Sequence, residues 1–143
     1  MKLRTYRDRD REDVVALWEA TGIARPWLDL RTEIREKRRR DRTLFLVATV
    51  RGAIVGAVMG AYDGRRGWVY HLAVAPTRQR RGIGKALMAA LESRMAHLGV
   101  IKVNLQVRTD NAAVEAFYTG MGYADDRVTS FGKWLVPPPV PKT

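Results

Sequence analysis

The chain has 143 residues, of which 46% are hydrophobic and 29% are charged, and it contains no cysteine. This length suits one domain with its own core, and the missing cysteine excludes disulfides, thiolate nucleophiles and cysteine-based metal sites. The formal charge of +11 favours an anionic partner: nucleic acid, an acidic protein surface or a multiply phosphorylated cofactor. Because no stretch is long and apolar enough to span a bilayer and no apolar leader is visible, we expect a cytoplasmic protein without membrane contact.

The first half of the chain predicts a strand, two helices and three more strands. The helices follow from apolar residues at helical spacing, Pro26 separates them, and Asp8 or Asp10 is expected to cap the first. The predicted bounds are a strand over 2–7, helices from Asp8 or Asp10 to Gly22 and over 30–41, and strands over 44–50, 53–62 and 67–74. Turn signals at Arg51-Gly52 and Asp63-Gly64 make the last three strands an antiparallel meander.

The second half predicts a helix, a strand, a helix and a last strand. Ile83, Leu87 and Leu91 form one helical stripe, and apolar residues alternate with polar ones over 100–107. The predicted bounds are a helix from Gly82 to Gly99, a strand over 100–107, a helix over 112–121 capped by Asn111, a strand over 128–136 and a proline-rich, polyproline-like tail over 137–143. The order β-α-α-β-β-β-α-β-α-β predicts an α/β (α+β) domain over residues 1–136. Its sheet is mixed and mostly antiparallel, with the fourth and fifth strands parallel and splayed so that a ligand can enter between them.

The densest basic stretch is Lys37-Arg38-Arg39-Arg40, with Arg42 just beyond it. One interpretation is a solvated helix face near the C-terminus, where cations interact favourably with the helix dipole. The other is a docking patch for nucleic acid. No aromatic residue is interleaved between Arg31 and Thr43, which disfavours RNA recognition.

The most informative segment is Gln79-Arg80-Arg81-Gly82-Ile83-Gly84, between a strand and a helix. Unpaired backbone N–H groups converge at such a helix N-terminus and can hold a pyrophosphate. Gly82 and Gly84 are expected to let a ligand approach the backbone closely. A Walker phosphate loop is excluded because Ala86 follows Gly84-Lys85, and a dinucleotide fingerprint is incomplete.

Two motifs carry a family resemblance. The run from Val74 to Leu87 resembles the acetyl-CoA signature Q/R-x-x-G-x-G/A of the GNAT (Gcn5-related) N-acetyltransferases. Asn111, Tyr118 and Gly122-Tyr123 resemble the second motif of that family, and the element order over residues 1–136 is similar to its fold. Arg25-Pro26-Trp27 and the hairpin over 62–67 further resemble the small, stand-alone bacterial YpeA-like branch.

The resemblance implies an N-acetyltransferase (EC 2.3.1 class) that moves an acetyl group from acetyl-CoA to a primary amine of a small molecule or protein. Direct attack in a ternary complex would need no covalent intermediate and no metal. The open alternative is a non-catalytic module of the same fold that binds acyl-CoA or docks on RNA or the ribosome through residues 37–42. Nucleic acid is the less favoured partner, and both a monomer and a homodimer fit the sequence.

The resemblance also implies a role for each matched residue. Backbone amides of the turn would hold the pyrophosphate, with charge added by Arg78, Arg80 and Arg81. Tyr118 would act as the general acid toward the departing thiolate, and a backbone N–H near Val74 would polarise the thioester carbonyl. The expected acetyl-CoA-binding residues are Leu72, Ala73, Val74, Gln79, Arg80, Arg81, Gly82, Ile83, Gly84, Lys85, Asn111 and Tyr118.

The general base is the open question at this stage. Many family members carry a glutamate early in the strand over 68–74, and this chain has none. His71 is the titratable candidate in that strand, although a satisfied core histidine is the alternative interpretation. Glu19 and Asp63 are fallback candidates, and Trp27 is a candidate for the wall of the acceptor site.

Overall fold

The structure, a computed structural model, describes residues 1–138. Its helices and strands follow the predicted order through the fourth helix. They are β1 Lys2–Thr5, α1 Arg11–Ala20, α2 Leu30–Arg40, β2 Phe45–Val50, β3 Ala53–Tyr62, β4 Gly67–Val74, α3 Ile83–His97, β5 Val103–Asn104 and α4 Ala112–Thr119. In this part of the chain no helix has the length and apolar character needed to cross a membrane.

The five strands form one mixed sheet in the order β1-β2-β3-β4-β5. The first four are antiparallel, while β4 and β5 are parallel, which confirms the expected fold class. The parallel ladder joins only Gly67 to Val103 and Trp68 to Asn104. Within residues 1–138, the edge of β4 over residues 69–74 therefore has no strand beside it, and we call this edge the β4 opening.

Helices cover the sheet on both faces, and each face has its own core. On one face, α1 and α2 pack around fully buried Trp18 and Phe45, with Tyr6 stacked on Phe45 at 4.2 Å between ring centroids. On the other face, α3 buries Leu87 and Leu91 completely. Burial of each such side chain contributes about 1.5–3 kcal/mol, so α1, α2 and α3 are held in place by packing rather than by helix propensity alone.

Asp10 stands at the N-cap position of α1, as predicted, but its carboxylate does not bond to that helix. It accepts two hydrogen bonds from the Arg4 guanidinium, at 2.7 and 2.9 Å, and one from the Arg7 backbone N–H at 2.8 Å. Burial raises the pKa of this carboxyl, but the hydrogen bonds from Arg4 and Arg7 outweigh it and leave the pKa lowered. The residue ties β1 to α1 instead of capping the helix.

The fifth strand is much shorter than the predicted span over 100–107. Its first predicted residue, Val100, lies just after α3 and closes the end of that helix, because its N–H donates to the Met95 carbonyl at 3.0 Å. Ile101 is 88% exposed. After Asn104 the two parallel strands diverge, so alternation of apolar residues alone could not find the end of the backbone ladder.

The predicted last strand over 128–136 is wrong: the structure has no strand there. Arg127 adopts a left-handed φ of 55°, and its N–H donates to the Asp125 side chain at 2.7 Å, so the chain turns where pairing would begin. Side-chain hydrogen bonds link this part of the chain to β5 and its flanks. Asp126 accepts from Lys102 and Asn104 at 3.0 and 2.8 Å, and Gln106 donates to Ser130 at 2.6 Å. Residues 139–143 of the predicted proline-rich tail lie outside the described residues.

Candidate active site

The glycine turn, residues 78–85, links the end of β4 to α3. Arg80 and Gly82 adopt left-handed φ angles of 63° and 80°. A Cβ added to Gly82 would meet no atom within 4 Å, so this glycine is required by its backbone conformation and not by crowding. The two left-handed residues turn the chain sharply into α3.

Backbone N–H groups accumulate at this turn without acceptors. The first helical hydrogen bond of α3 runs from the Ala86 N–H to the Gly82 carbonyl at 3.0 Å. Within residues 1–138, the N–H groups of Gly82 to Lys85, which precede the first helical hydrogen bond, have no hydrogen-bond acceptor. Over the same residues, no ion pair involves the cations of the turn, which are Arg78, Arg80, Arg81 and Lys85. Free amides, unpaired cations and the positive end of the α3 dipole together make a site for a multiply charged anion.

Gly84 also has a packing role. A Cβ at this position would lie 3.2 Å from Cζ of Phe117 and 3.7 Å from Cγ2 of Val74. The space that a side chain would fill is thus occupied by α4 and the end of β4. The absence of a side chain at Gly84 lets α3 and α4 approach each other closely.

The end of β4 is fastened to the glycine turn. The Gln79 side chain donates from Nε2 to the Val74 carbonyl at 3.2 Å. The next residue, Ala75, donates its N–H to Val55 of β3 at 2.8 Å. Because successive N–H groups of a strand point to opposite sides, the Val74 N–H points away from β3 and toward the β4 opening.

Asn111 opens α4 as the sequence predicts. Its side-chain oxygen accepts a hydrogen bond from the Val114 N–H at 3.1 Å, which caps the helix. Since the oxygen is used in this way, the side-chain NH₂ remains as the group of Asn111 that can donate to a ligand.

Tyr118 lies on α4 between two aromatic rings, Phe117 at 5.1 Å and Tyr123 at 5.7 Å between centroids. Burial raises the pKa of the Tyr118 phenol to about 12, so it stays protonated at neutral pH. Tyr123 instead donates its hydroxyl to Glu92 Oε2 at 2.5 Å. In the described part of the chain the Tyr118 hydroxyl forms no hydrogen bond, which leaves it able to donate to a ligand.

His71 lies on the other face of the sheet, at a β-bulge. Ala73 pairs with Ala57 and Tyr70 with Met59, so β4 has one extra residue here, and His71 adopts a left-handed φ of 52°. The bulge turns two consecutive side chains toward α2. The Tyr70 ring lies 5.9 Å from Lys37 Nζ, and His71 Nε2 lies 3.2 Å from Glu33 Oε1.

Two groups fix the His71 ring, which is only partly buried. Trp18 packs edge-on against it at 5.0 Å between centroids, and Glu33 holds Nε2. Sequence reasoning did not single out Glu33. The available signal was its position on the inward side of α2, between buried Leu30 and Ile34, where a carboxylate needs a partner.

A family model, described as the acetyltransferase (GNAT) family, matches residues 8–123, which is most of the chain. The chain belongs to the GNAT family. It is 44% identical over 137 residues to an acetyltransferase of Sodalis glossinidius, covering 95% of this chain and 96% of that one. It is thus an acetyl-CoA-dependent N-acetyltransferase.

Solved structures support the same assignment for this GNAT acetyltransferase. Ard1 from Thermoplasma volcanium superposes with a TM-score of 0.74 at 27% identity, over 86% of this chain and 82% of that one. Naa20 from Chaetomium thermophilum, in complex with a bisubstrate analogue, gives a TM-score of 0.70 at 26% identity, over 87% and 71% of the two chains.

The fallback bases and the basic run of the acetyltransferase have structural roles or lie in solvent. Asp63 accepts N–H groups from Arg65 and Arg66 at 2.8 and 2.7 Å, and these bonds lower its pKa. Glu19 is exposed on α1. In the basic run, Lys37 pairs with Asp41, Arg38 with Asp8, and Arg39 and Arg40 with Glu36. An ion-paired helix end, with Lys37 largely buried and Arg39 and Arg40 exposed, therefore describes residues 37–40 better than a docking patch.

Proposed function

We propose that the enzyme transfers the acetyl group to a primary amine by direct attack within a ternary complex, with no covalent intermediate and no metal. The observation that carries this proposal is the glycine turn, whose free amides and unpaired cations lie at the end of the open β4 edge. When bound, acetyl-CoA supplies the acetyl group as a thioester, whose carbonyl carbon a neutral amine can attack.

The residues around the turn and the opening fit such a donor. The amides of residues 79–85 would hold the pyrophosphate, and Arg78, Arg80 and Arg81 would bind phosphate oxygens. Leu72, Ala73 and Val74 border the opening, where the pantetheine arm can lie as an added strand, and the Asn111 NH₂ group can donate to it. The Val74 N–H is directed so that it can polarise the thioester carbonyl.

Tyr118 is the proposed general acid. A thiol ordinarily has a pKa of about 8.5, far below the value of about 12 for Tyr118, so complete proton transfer to a solvated thiolate is unfavourable. The phenol therefore acts first as a hydrogen-bond donor to the sulfur. Its proton passes to the sulfur as the C–S bond breaks, and Tyr118 regains a proton from water.

His71 is the proposed general base. An amine arrives at neutral pH mostly as an ammonium ion and must lose a proton before it can attack. The His71 imidazole is held by Trp18 and Glu33 on the α1–α2 side of β4, and it is partly open to solvent. It can take the proton and release it to water.

Calorimetry with acetyl-CoA, followed by a CoA-release assay against amino acids, polyamines and N-terminal peptides, tests the proposal. We expect binding in the micromolar range and turnover with at least one amine. Tyr118→Phe should lower kcat by about 10²-fold with little change in acetyl-CoA affinity. His71→Ala should remove the acidic limb of the pH profile. Absence of acetyl-CoA binding at several hundred micromolar would overturn the proposal.

We also infer that the enzyme belongs with the YpeA-like branch. Support comes from Arg25-Pro26-Trp27, which connects α1 to α2, and from the hairpin over residues 62–67. Trp27 is half-buried in that connection, which is consistent with a place in the wall of the acceptor site.

A further inference from the structure

A concave surface between the turn that follows β1 and helix α2 is lined mainly by arginine. Its cavity has a volume of about 560 Å³, and six of its ten lining residues are arginines. These are Arg11, Arg31, Arg35, Arg38, Arg39 and Arg42. An adjoining cavity of about 540 Å³ shares Tyr6, Asp8, Arg38 and Arg42 with the first and adds three further arginines. We call the two cavities together the arginine groove.

The positive charge of the groove is only partly compensated. Within residues 1–138, Asp8 is the one acidic residue in its lining. Five of its nine arginines form ion pairs, and they share the four carboxylates of Asp8, Asp10, Glu12 and Glu36. The groove therefore keeps an excess of positive charge even when these partners are counted with it.

Arg35 and Arg42 supply free charge to the groove. Both side chains are exposed, and neither forms an ion pair or a hydrogen bond with another residue of the described chain. Unpaired arginines also occur elsewhere on the surface, so this property alone does not mark a site. What distinguishes Arg35 and Arg42 is that they share one concave surface with seven other arginines.

The composition of the lining indicates the chemistry of a ligand. All of its cations are guanidinium groups, whose planar fork of N–H donors matches two oxygens of a phosphate. Tyr6, the aromatic residue of the lining, is only 4% exposed, so it offers no ring on which a nucleobase can stack. Ile34 is 2% exposed and gives a peptide no apolar anchor. The groove is thus suited to phosphate groups rather than to bases or apolar side chains.

We propose that the arginine groove binds a small ligand that carries two or more adjacent phosphate groups. Its volume lies in the range of small-molecule sites, roughly 300–1,000 Å³. It is separate from the glycine turn, because β2 and β3 lie between β1 and β4 in the sheet, a distance of roughly 14 Å. None of the groove residues is assigned to the donor, the acid or the base, so the proposal does not depend on acetyl transfer.

Calorimetry with tripolyphosphate, at about 50 mM salt and with CoA in small excess to occupy the glycine turn, tests the proposal. Arg35→Gln/Arg42→Gln removes the two free charges without leaving a carboxylate unpaired. We expect it to raise the dissociation constant at least about 10-fold. Arg51→Gln/Arg65→Gln is the matched control, because both residues are exposed, lie outside the groove and form no ion pair within residues 1–138. Equal weakening in the two variants would show that net charge, and not the groove, attracts the ligand.

Asp8→Asn should have the opposite effect. It removes the carboxylate from the lining and releases Arg38, which pairs with Asp8 in the unliganded groove. We expect tripolyphosphate to bind about 3-fold more tightly. Unchanged or weaker binding would contradict the proposal.

Three further titrations exclude other sites and other ligands. Arg80→Ala/Arg81→Ala should leave the affinity for tripolyphosphate unchanged, and an effect there but not in Arg35→Gln/Arg42→Gln would place the anion at the glycine turn. Citrate, which carries only carboxylates, should bind at least about 10-fold more weakly, and equal affinity would overturn the assignment to phosphate. Binding of a short single-stranded RNA without binding of tripolyphosphate would overturn it in favour of nucleic acid. Failure of acetyl-CoA to bind would overturn the proposed function and leave the result for the groove intact.

Discussion

Two arginine-rich regions of this acetyltransferase look alike in the sequence and differ in the structure. Residues 37–40 end α2, and each of them forms an ion pair with an acidic side chain. The cations of the glycine turn, residues 78–85, form no ion pair within residues 1–138. The cations of the first region are paired within the protein, whereas those of the second are available to a ligand.

The difference shows that the density of positive charge does not identify a binding site. At the end of α2, the cations sit where the helix dipole favours them and where carboxylates lie one turn away. At the glycine turn, cations and free amides share one sharp bend, and no carboxylate of residues 1–138 forms an ion pair with these cations. What marks the site is charge without compensation, beside backbone donors without acceptors.

The largest contrast is expected in donor binding. Arg80→Ala/Arg81→Ala should raise the acetyl-CoA dissociation constant about 30- to 1000-fold, because each of the two lost charge-assisted hydrogen bonds to phosphate is worth about 1–2 kcal/mol when exposed. Calorimetry measures it. Arg39→Ala/Arg40→Ala should stay within about 2-fold of the wild type. Equal weakening in both variants would mean that net charge, not the turn, attracts the donor.

The contrast should reverse when stability is measured. Lys37 Nζ lies 3.0 Å from Asp41 Oδ2 and 2.9 Å from the Gly60 carbonyl, and both side chains are largely buried. Lys37→Met should lower the free energy of unfolding in urea by about 2–3 kcal/mol, since it leaves Asp41 without its cation. Arg80→Ala/Arg81→Ala should change it by less than about 0.5 kcal/mol. An unchanged urea midpoint for Lys37→Met would contradict this division of roles.

The dependence of acetyl-CoA binding on ionic strength should also distinguish the two regions, by a smaller factor. Raising ionic strength from about 50 to 200 mM should weaken acetyl-CoA binding several-fold in the wild type, since exposed charges are screened over about 10 Å. The slope should be shallower in Arg80→Ala/Arg81→Ala and unchanged in Arg39→Ala/Arg40→Ala. Dephospho-CoA serves as the control ligand with fewer charges. Parallel slopes in both double variants would remove the distinction.

The smallest effect concerns the exposed pair at the end of α2. A hydrogen bond from Arg40 holds the pKa of Glu36 below its ordinary value. A lowered carboxyl pKa in the folded state stabilises the fold above the unfolded value, near 4.3, and this contribution disappears as pH falls through the folded value. Arg40→Ala should therefore lower Tm by about 1 °C at pH 7 and by nothing below about pH 3. A difference that grows on acidification would be the wrong sign.

The sequence alone predicted those features that depend on residues adjacent in the chain. The glycine turn follows from a strand, two glycines and a helical stripe that are adjacent in the chain, and helix caps such as Asn111 follow from the residue itself. The family resemblance added Tyr118 and the donor. These elements appear in the structure within a few residues of their predicted bounds.

What the sequence missed depends on contacts between distant residues. The packing of Gly84 on Phe117 joins two helices, and the bond of His71 to Glu33 joins positions 38 residues apart. No glycine or proline lies at the β4 bulge to indicate it in the sequence. The last predicted strand failed for a related reason, since β5 offers only two ladder positions and the chain turns at Arg127.

The contact between Gly84 and Phe117 places the proposed donor-binding residues on one side of the sheet, apart from those on the α1–α2 side. Phe117 precedes Tyr118, so the N-terminal end of α3, the proposed phosphate site, packs against the helix that carries the proposed proton donor. Both lie on the α3 side of the sheet. Glu33, His71 and Trp18 belong to the α1–α2 half. On the proposed mechanism, substitutions in α1 and α2 would therefore change the preference for the acceptor amine. They would leave the proposed acetyl-CoA site on the α3 side unchanged.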